Sequence, residues 1–242
     1  MRYGSSDTAS RKQFFGDPGI ILFDMHVHSR YSSDSKTPVR SIVESWERFG
    51  VLPLVCDHNS ITGSKKVYKE ICAKDPGVPM ILAEEILTSD GEIIGAFLNE
   101  EIPPYLSAEE TLDTIRDQGA VAIVPHPFCS FRSSVIRAAV LDRIVHRVDI
   151  IEGFNGRAVD ERDNYYARRY AVLHGKPVSA GSDAHTPEEL GLTYVALQAF
   201  SSPAELIRSI RTAEIHFRRA FPTTHPMNRH FPGTENPPGM AS

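Results

Sequence analysis

Short apolar runs alternate along this chain with longer segments whose apolar positions recur every three or four residues, the periods of strands and amphipathic helices. The first run, Ile20-Ile21-Leu22-Phe23, reads as a buried strand and leads into Asp24-Met25-His26-Val27-His28-Ser29. Thr37-Pro38 opens a helix that runs to about Phe49 and stops at Gly50. Val51 to Cys56 predicts a second strand, delivering Asp57-His58, and Thr62 to about Lys74 a second helix. Pro79-Met80-Ile81-Leu82-Ala83 predicts a third strand, delivering Glu84-Glu85. Ser89-Asp90-Gly91 reads as a tight turn, so that Glu92 to Leu98 returns as an antiparallel or adjacent strand. A helix follows from Ser107, a cap with Glu110 three positions on, to Gln118, closed by Gly119. Ala120 to Val124 predicts a strand delivering Pro125-His126, residues 134–146 a helix, Val148 to Glu152 a strand, and Asp160 to His174 a helix ended by Gly175. Pro177-Val178-Ser179-Ala180 then delivers Gly181-Ser182-Asp183-Ala184-His185, before a last strand at Tyr194 to Leu197 and a last helix at Pro203 to Thr212.

Strands alternating with helices imply an α/β fold of parallel βαβ units, and about seven such units close most simply into a TIM-barrel-like fold. One domain is expected over residues 20–220, with 1–19 a loose lead-in and 221–242, rich in Pro, Gly, Asn and Thr, a mobile tail. Each polar cluster falls at the C-terminal end of its strand, the face on which a barrel makes scattered residues neighbours. His26 and His28 share one face of their strand and could grip one metal ion. The later clusters add the imidazoles and carboxylates that divalent ions take.

Composition narrows the picture only slightly. The 242 residues are 41% hydrophobic and 24% charged, as in an ordinary globular protein. A formal net charge of −5 and a pI near 6.1 argue against stable binding of a nucleic-acid duplex, while leaving room for a nucleotide in a pocket. No apolar run approaches the roughly 18 residues of a membrane span. The polar start carries no signal-peptide core, so a cytoplasmic protein is expected. Three widely spaced cysteines offer no disulfide framework. Oligomeric state is left open.

Five clusters taken in order, Asp24-x-His26-x-His28-Ser29, Cys56-Asp57-His58-Asn59, Ala83-Glu84-Glu85-Ile86, Pro125-His126-Pro127-Phe128 and Gly181-Ser182-Asp183-Ala184-His185, resemble the polymerase-and-histidinol-phosphatase (PHP) family of metal-dependent phosphoesterases over about residues 20–215. The resemblance implies a distorted (β/α)7 barrel whose metal site holds about two to three divalent ions (Zn, Mn, Fe or Mg) at the C-terminal ends of the strands. It implies that His26, His28, Glu85 and Asp183 hold one ion, that Glu85 bridges to a second also held by His126, and that His58 and His185 belong to a third. Asp34 falls where several trinuclear members place a histidine, and a carboxylate there shifts preference toward Mn, Fe or Mg. Glu92 falls where some members place another histidine, which leaves the second ion's ligands open. Asp57 either ligates or orients His58. Glu84, opposite Glu85 on a strand, reads as solvent-facing or supporting. Cys56 reads as a small buried hydrophobe, and Cys129 is left unassigned.

Phosphate needs cationic donors as well as metals. Arg157, in Phe154-Asn155-Gly156-Arg157, is the first candidate for a guanidinium clamp, with Asn155 beside it and Gly156 letting the backbone approach the ligand. Arg132 is the second. The expected activity is hydrolysis of a small phosphorylated metabolite or nucleotide, monoester or diester, by a metal-bridging hydroxide, with Glu85, Asp57 and His185 as catalytic residues. A metal-dependent C–N hydrolase of the amidohydrolase kind also opens on His-x-His, but carries a bridging lysine where this chain has Glu85. A metal-binding regulatory domain without catalysis is the third reading.

Overall fold

The computed structural model describes residues 19–217, so the expected lead-in up to residue 18 and the expected tail lie outside the described residues. Strand β1 (Ile20–Val27) is followed by α1 (Val39–Phe49), β2 (Val51–Val55) and α2 (Thr62–Lys74). A hairpin of β3 (Ala83–Thr88) and β4 (Gly91–Ala96) comes next, then α3 (Ala108–Asp117), β5 (Val121–Val124) and α4 (Ala138–Ile144). The chain continues through β6 (Ile150–Asn155), α5 (Glu161–Leu173), β7 (Val178–Gly181), β8 (Thr193–Gln198), α6 (Pro203–Ser209) and β9 (Glu214–Phe217). Local chemistry sets several ends. Gly50 adopts φ 68°, and its N–H closes α1 on the Trp46 carbonyl. Ser107 and Glu110 form a reciprocal capping box at the start of α3. Among the described residues no helix is long and apolar enough to cross a membrane.

The fold is mixed α/β with two sheets, ordered β2-β1-β8-β9 and β3-β4-β5-β6-β7. The β1–β2, β5–β6 and β6–β7 pairs are parallel, whereas β3–β4, β4–β5, β1–β8 and β8–β9 are antiparallel. The closed barrel expected from the alternation is therefore not formed as one continuous ladder. Antiparallel β8 occupies one edge of β1 from Ile20↔Gln198 to Phe23↔Val195, so only the last part of β1 meets the β7 side. The two sheets join there through the single bridge Val27↔Ala184, and on the other side through His58↔Glu85. Both seams carry residues singled out from the sequence. The N–H of His28 donates to the Ala184 carbonyl at 2.9 Å, and that of Asp183 to the His26 carbonyl at 2.7 Å. At the other seam Glu85 N–H donates to Asp57 at 3.2 Å, and Asn59 N–H to Glu85 at 3.0 Å.

Some element boundaries differ from expectation. The third strand starts at Ala83, where it was expected to end, because the hairpin register runs from Ala83↔Ala96 to Thr88↔Gly91 and carries both glutamates. Residues 134–137 are not helical. Glu92 N–H donates to the Ser134 carbonyl and Arg137 N–H to that of Asp90, so this segment lies against the hairpin instead. Strand β6 begins at Ile150 and extends through Asn155. Strand β9 was not expected at all.

Candidate metal centre

Glu85 lies at the middle of the site. Its Oε2 stands 3.5 Å from His26 Nε2, 3.3 Å from His28 Nε2 and 3.2 Å from His58 Nδ1. Its Oε1 stands 3.2 Å from His126 Nε2. Four imidazoles from the ends of three strands, β1, β2 and β5, thus meet one fully buried carboxylate. Asp183 Oδ1 faces the same cluster, at 3.7 Å from His26, 3.5 Å from His28 and 3.5 Å from His185. On the outer side Asp34 Oδ2 lies 3.1 Å from His185 Nε2 and 3.4 Å from His58 Nε2.

Donor atoms within 4.8 Å of one another fall into groups that could each hold an ion: His28, Asp34, His58 and His185; His26, His126 and Asp183; His58, Glu85 and Glu92; and His26, His28 and Cys56. The hydrogen bonds around them fit a cation. His26 Nδ1 lies 3.1 Å from Glu152 Oε1 and His185 Nδ1 lies 2.8 Å from the Asp183 carbonyl. Both partners are acceptors, so each Nδ1 carries the proton and each Nε2 keeps its lone pair. His26 Nε2 and His28 Nε2 stand only 3.0 Å apart. Glu85 Oε2 and Asp183 Oδ1 are buried without a hydrogen-bond donor. Buried lone pairs converging without donors are costly unless a positive charge lies among them.

The electrostatics call for positive charge at this spot, which a bound cation would supply in place of a second proton on His26. Burial works against a charged His26, yet Asp183, Cys56, Glu85 and Glu152 hold it well above the usual imidazole value. Burial also opposes ionisation of Glu85 and Asp183, but His26 and the neighbouring groups hold both carboxyls well below their usual range. Glu92 behaves differently. Burial, with the Glu85 charge beside it, pushes its carboxyl up to about 7.

A cavity of about 410 Å³ opens over the cluster, lined in part by Asp34, His58, Glu92, Arg132, Arg157 and His185. Arg132 pairs through Nη2 with Asp183 Oδ2, and its Nη1 lies 3.4 Å from His126 Nε2. Arg157 is freer, 39% exposed and 3.8 Å from Glu189. Glu92 is 3.7 Å from His58 and 3.8 Å from His126, and accepts from Ser134 Oγ at 2.7 Å. Cys129 lines the cavity but belongs to none of the donor groups.

Several residues stand elsewhere than expected. Asp57 is buried and absent from the cavity lining, its carboxylate accepting from Ser29 N–H at 2.6 Å and Ser29 Oγ at 2.7 Å. That geometry holds the turn after His28, and the carboxylate does not reach the cavity lining. Asn155 likewise lies beneath the cavity, its amide donating to Glu152 at 3.1 Å and Asp183 at 3.0 Å. Glu84 is fully buried rather than solvent-facing, and accepts from Ile102 N–H at 2.6 Å. A Cβ on Gly156 would stand 2.8 Å from Thr193 Oγ1 and 3.0 Å from the Ser182 carbonyl, so the glycine is required by packing, not by ligand approach. Cys56 is buried in the apolar core as expected, but also borders His26 and His28.

The sequence passed over Glu152 except as a strand end. An acidic residue in the apolar run Ile150-Ile151-Glu152-Gly153-Phe154 was the available signal, because such a group is rarely buried without a partner.

A family model described as PHP-associated matches residues 161–215. The uncharacterized protein MJ0417 of Methanocaldococcus jannaschii is 34% identical over 204 residues, which cover 79% of this chain and 81% of that protein. Among solved structures, a two-domain protein of Bacteroides vulgatus containing a predicted PHP-like metal-dependent phosphoesterase superposes with a TM-score of 0.64 at 17% identity, over 82% of this chain. The lesion-specific endonuclease EndoQ of Pyrococcus furiosus superposes with a TM-score of 0.54 at 17% identity, over 81% of this chain. The chain spans 65% and 57% of the lengths of those two proteins, and both likenesses are of fold. With a relative matched over most of both lengths, the PHP-associated match and a shared fold, the chain belongs to the PHP family.

Proposed function

We propose that this protein is a metal-dependent phosphoesterase that hydrolyses a small phosphorylated metabolite or nucleotide. The observation that carries the reading is a buried Glu85 facing four imidazoles beneath a cavity that two arginines line. His26, His28, Glu85, Asp183 and His126 would hold ions on the inner side, and His58, His185 and Asp34 on the outer. Divalent ions bound there supply Lewis acidity toward phosphoryl oxygens and make water acidic near neutral pH. Arg157, exposed and only loosely paired, clamps phosphoryl oxygens that face away from the ions. Arg132 adds positive charge from the side of Asp183 and His126. His185 is fixed with Nδ1–H on the Asp183 carbonyl, which turns Nε2 toward Asp34 and the cavity. Asp57 keeps the His28–Ser29 turn in place. A C–N hydrolase of the amidohydrolase kind finds less support, since no lysine is among the residues lining the cavity.

The test is release of p-nitrophenol from p-nitrophenyl phosphate and bis(p-nitrophenyl) phosphate with added Mn²⁺. Hydrolysis of at least one is expected, with Arg157→Ala lowering kcat/KM at unchanged metal content. Wild-type protein that binds metal and releases product from neither would favour a regulatory metal-binding domain.

A further inference from the structure

Glu152 ends the apolar half of β6 and is 2% exposed. Its Oε1 lies 3.1 Å from His26 Nδ1. Its Oε2 accepts from the backbone N–H of His126 at 2.7 Å and from Asn155 Nδ2 at 3.1 Å. Asn155 Nδ2 in turn reaches Asp183 Oδ2 at 3.0 Å. His26, His126 and Asp183 make up one donor group whose atoms lie within 4.8 Å of one another. One carboxylate therefore touches two members of that group directly and the third through a single amide. None of its hydrogen bonds goes to the outer group of His28, Asp34, His58 and His185.

Each contact fixes something a cation position needs. An ionised carboxylate only accepts, so Glu152 holds the His26 proton on Nδ1 and leaves the Nε2 lone pair facing Glu85 and Asp183. His126 has φ 28°, a left-handed backbone uncommon outside glycine, and its N–H is tied down by Glu152 Oε2. Gly181 makes room for this arrangement, because a Cβ there would stand 2.9 Å from Glu152 Oε1 and 2.3 Å from His26 Cβ.

We infer that Glu152 is a positioning residue on which the His26–His126–Asp183 cation position is built, while the outer position stands without it. The inference rests on the metal-centre reading above. Glutamine at position 152 keeps the shape but turns an N–H donor toward either the His26 Nδ1–H or the His126 N–H. The experiment is equilibrium dialysis of the wild type, Glu152→Gln and Asn155→Ala against Mn²⁺, with thermal unfolding and the ¹⁵N signals of the His26 ring recorded on each. Glu152→Gln is expected to bind one ion about 10- to 100-fold more weakly, to retain the rest at wild-type affinity, and to shift the His26 tautomer signals. Asn155→Ala reads the Asp183 branch if Glu152→Gln does not fold, with a weakened inner ion and an unchanged His26 tautomer. A wild type that binds no Mn²⁺ overturns the metal-centre reading and this inference with it. Metal-binding wild type beside a folded Glu152→Gln of equal content and affinity overturns this inference alone, as does a uniform weakening of every ion.

Discussion

Glu84 and Glu85 are neighbours on β3 with opposite environments. Glu85 faces the histidines and is held well below the usual carboxylate range, against the effect of burial, by His26 and its hydrogen bonds. Glu84 points the other way onto the Ile102 N–H, and burial pushes its carboxyl up to about 7. Removing the charge at the two positions therefore separates their roles. Glu85→Gln is expected to lower both metal retention and turnover by orders of magnitude, whereas Glu84→Gln keeps its acceptor oxygen for Ile102 and loses little turnover. Equal losses in steady-state kinetics of the two variants would contradict the role proposed for Glu85. The histidines and carboxylates of this cluster were legible in the sequence because few other residue types grip divalent ions, and most of them close a strand or follow one, although Glu85 lies inside β3. Glu152 was less legible. Its partners lie 126 and 26 residues away, at His26 and His126, so only folding reveals what it serves. Asp57 carried the right residue type for proton transfer, but Ser29 donates to both of its oxygens, and no local pattern shows which way a carboxylate at a strand end turns.

At the scale of the elements, capped helix ends were the best-determined features, because a cap is chemistry between residues three or four apart. The Ser107–Glu110 box is an example. Ser107→Ala removes the acceptor for the Glu110 N–H and leaves the start of α3 uncapped. It is expected to cost about 1 kcal/mol in urea denaturation, with metal content unchanged because α3 supplies no donor to the centre. Unchanged stability would mean that water replaces the cap at no cost. Strand starts were harder to place. Ile81 is buried, as its place in an apolar run suggested, but it lies in the loop that feeds the hairpin. Burial alone does not require a ladder, and the turn at Ser89-Asp90 sets which residues pair. Residues 134–137 were read as helix because nothing local announces their hydrogen bonds to the hairpin. Strand β9, Glu-Ile-His-Phe, is short and mostly exposed, so the apolar alternation that marks a half-buried strand is too weak to detect.

Across the whole molecule, alternation of strands and helices correctly indicated α/β order but overstated closure. Hydrogen bonds, not element order, decide whether a barrel closes, and β8 takes the edge of β1 that a continuous ladder would use. Two single bridges then join the sheets at the strand ends, at Val27↔Ala184 and His58↔Glu85. Those seams bring donors separated by more than a hundred residues into one cluster, including His26 beside Asp183 and His28 beside His185. The central claim is that this cluster is a metal centre. It is tested most directly by elemental analysis of the purified protein after exhaustive dialysis, with Asp183→Ala and His26→Ala treated alike. The wild type is expected to retain about two to three divalent ions per chain, and each variant to lose at least one together with its activity. A folded wild type that retains no divalent ion, and takes none up when Mn²⁺ or Zn²⁺ is returned, would contradict it.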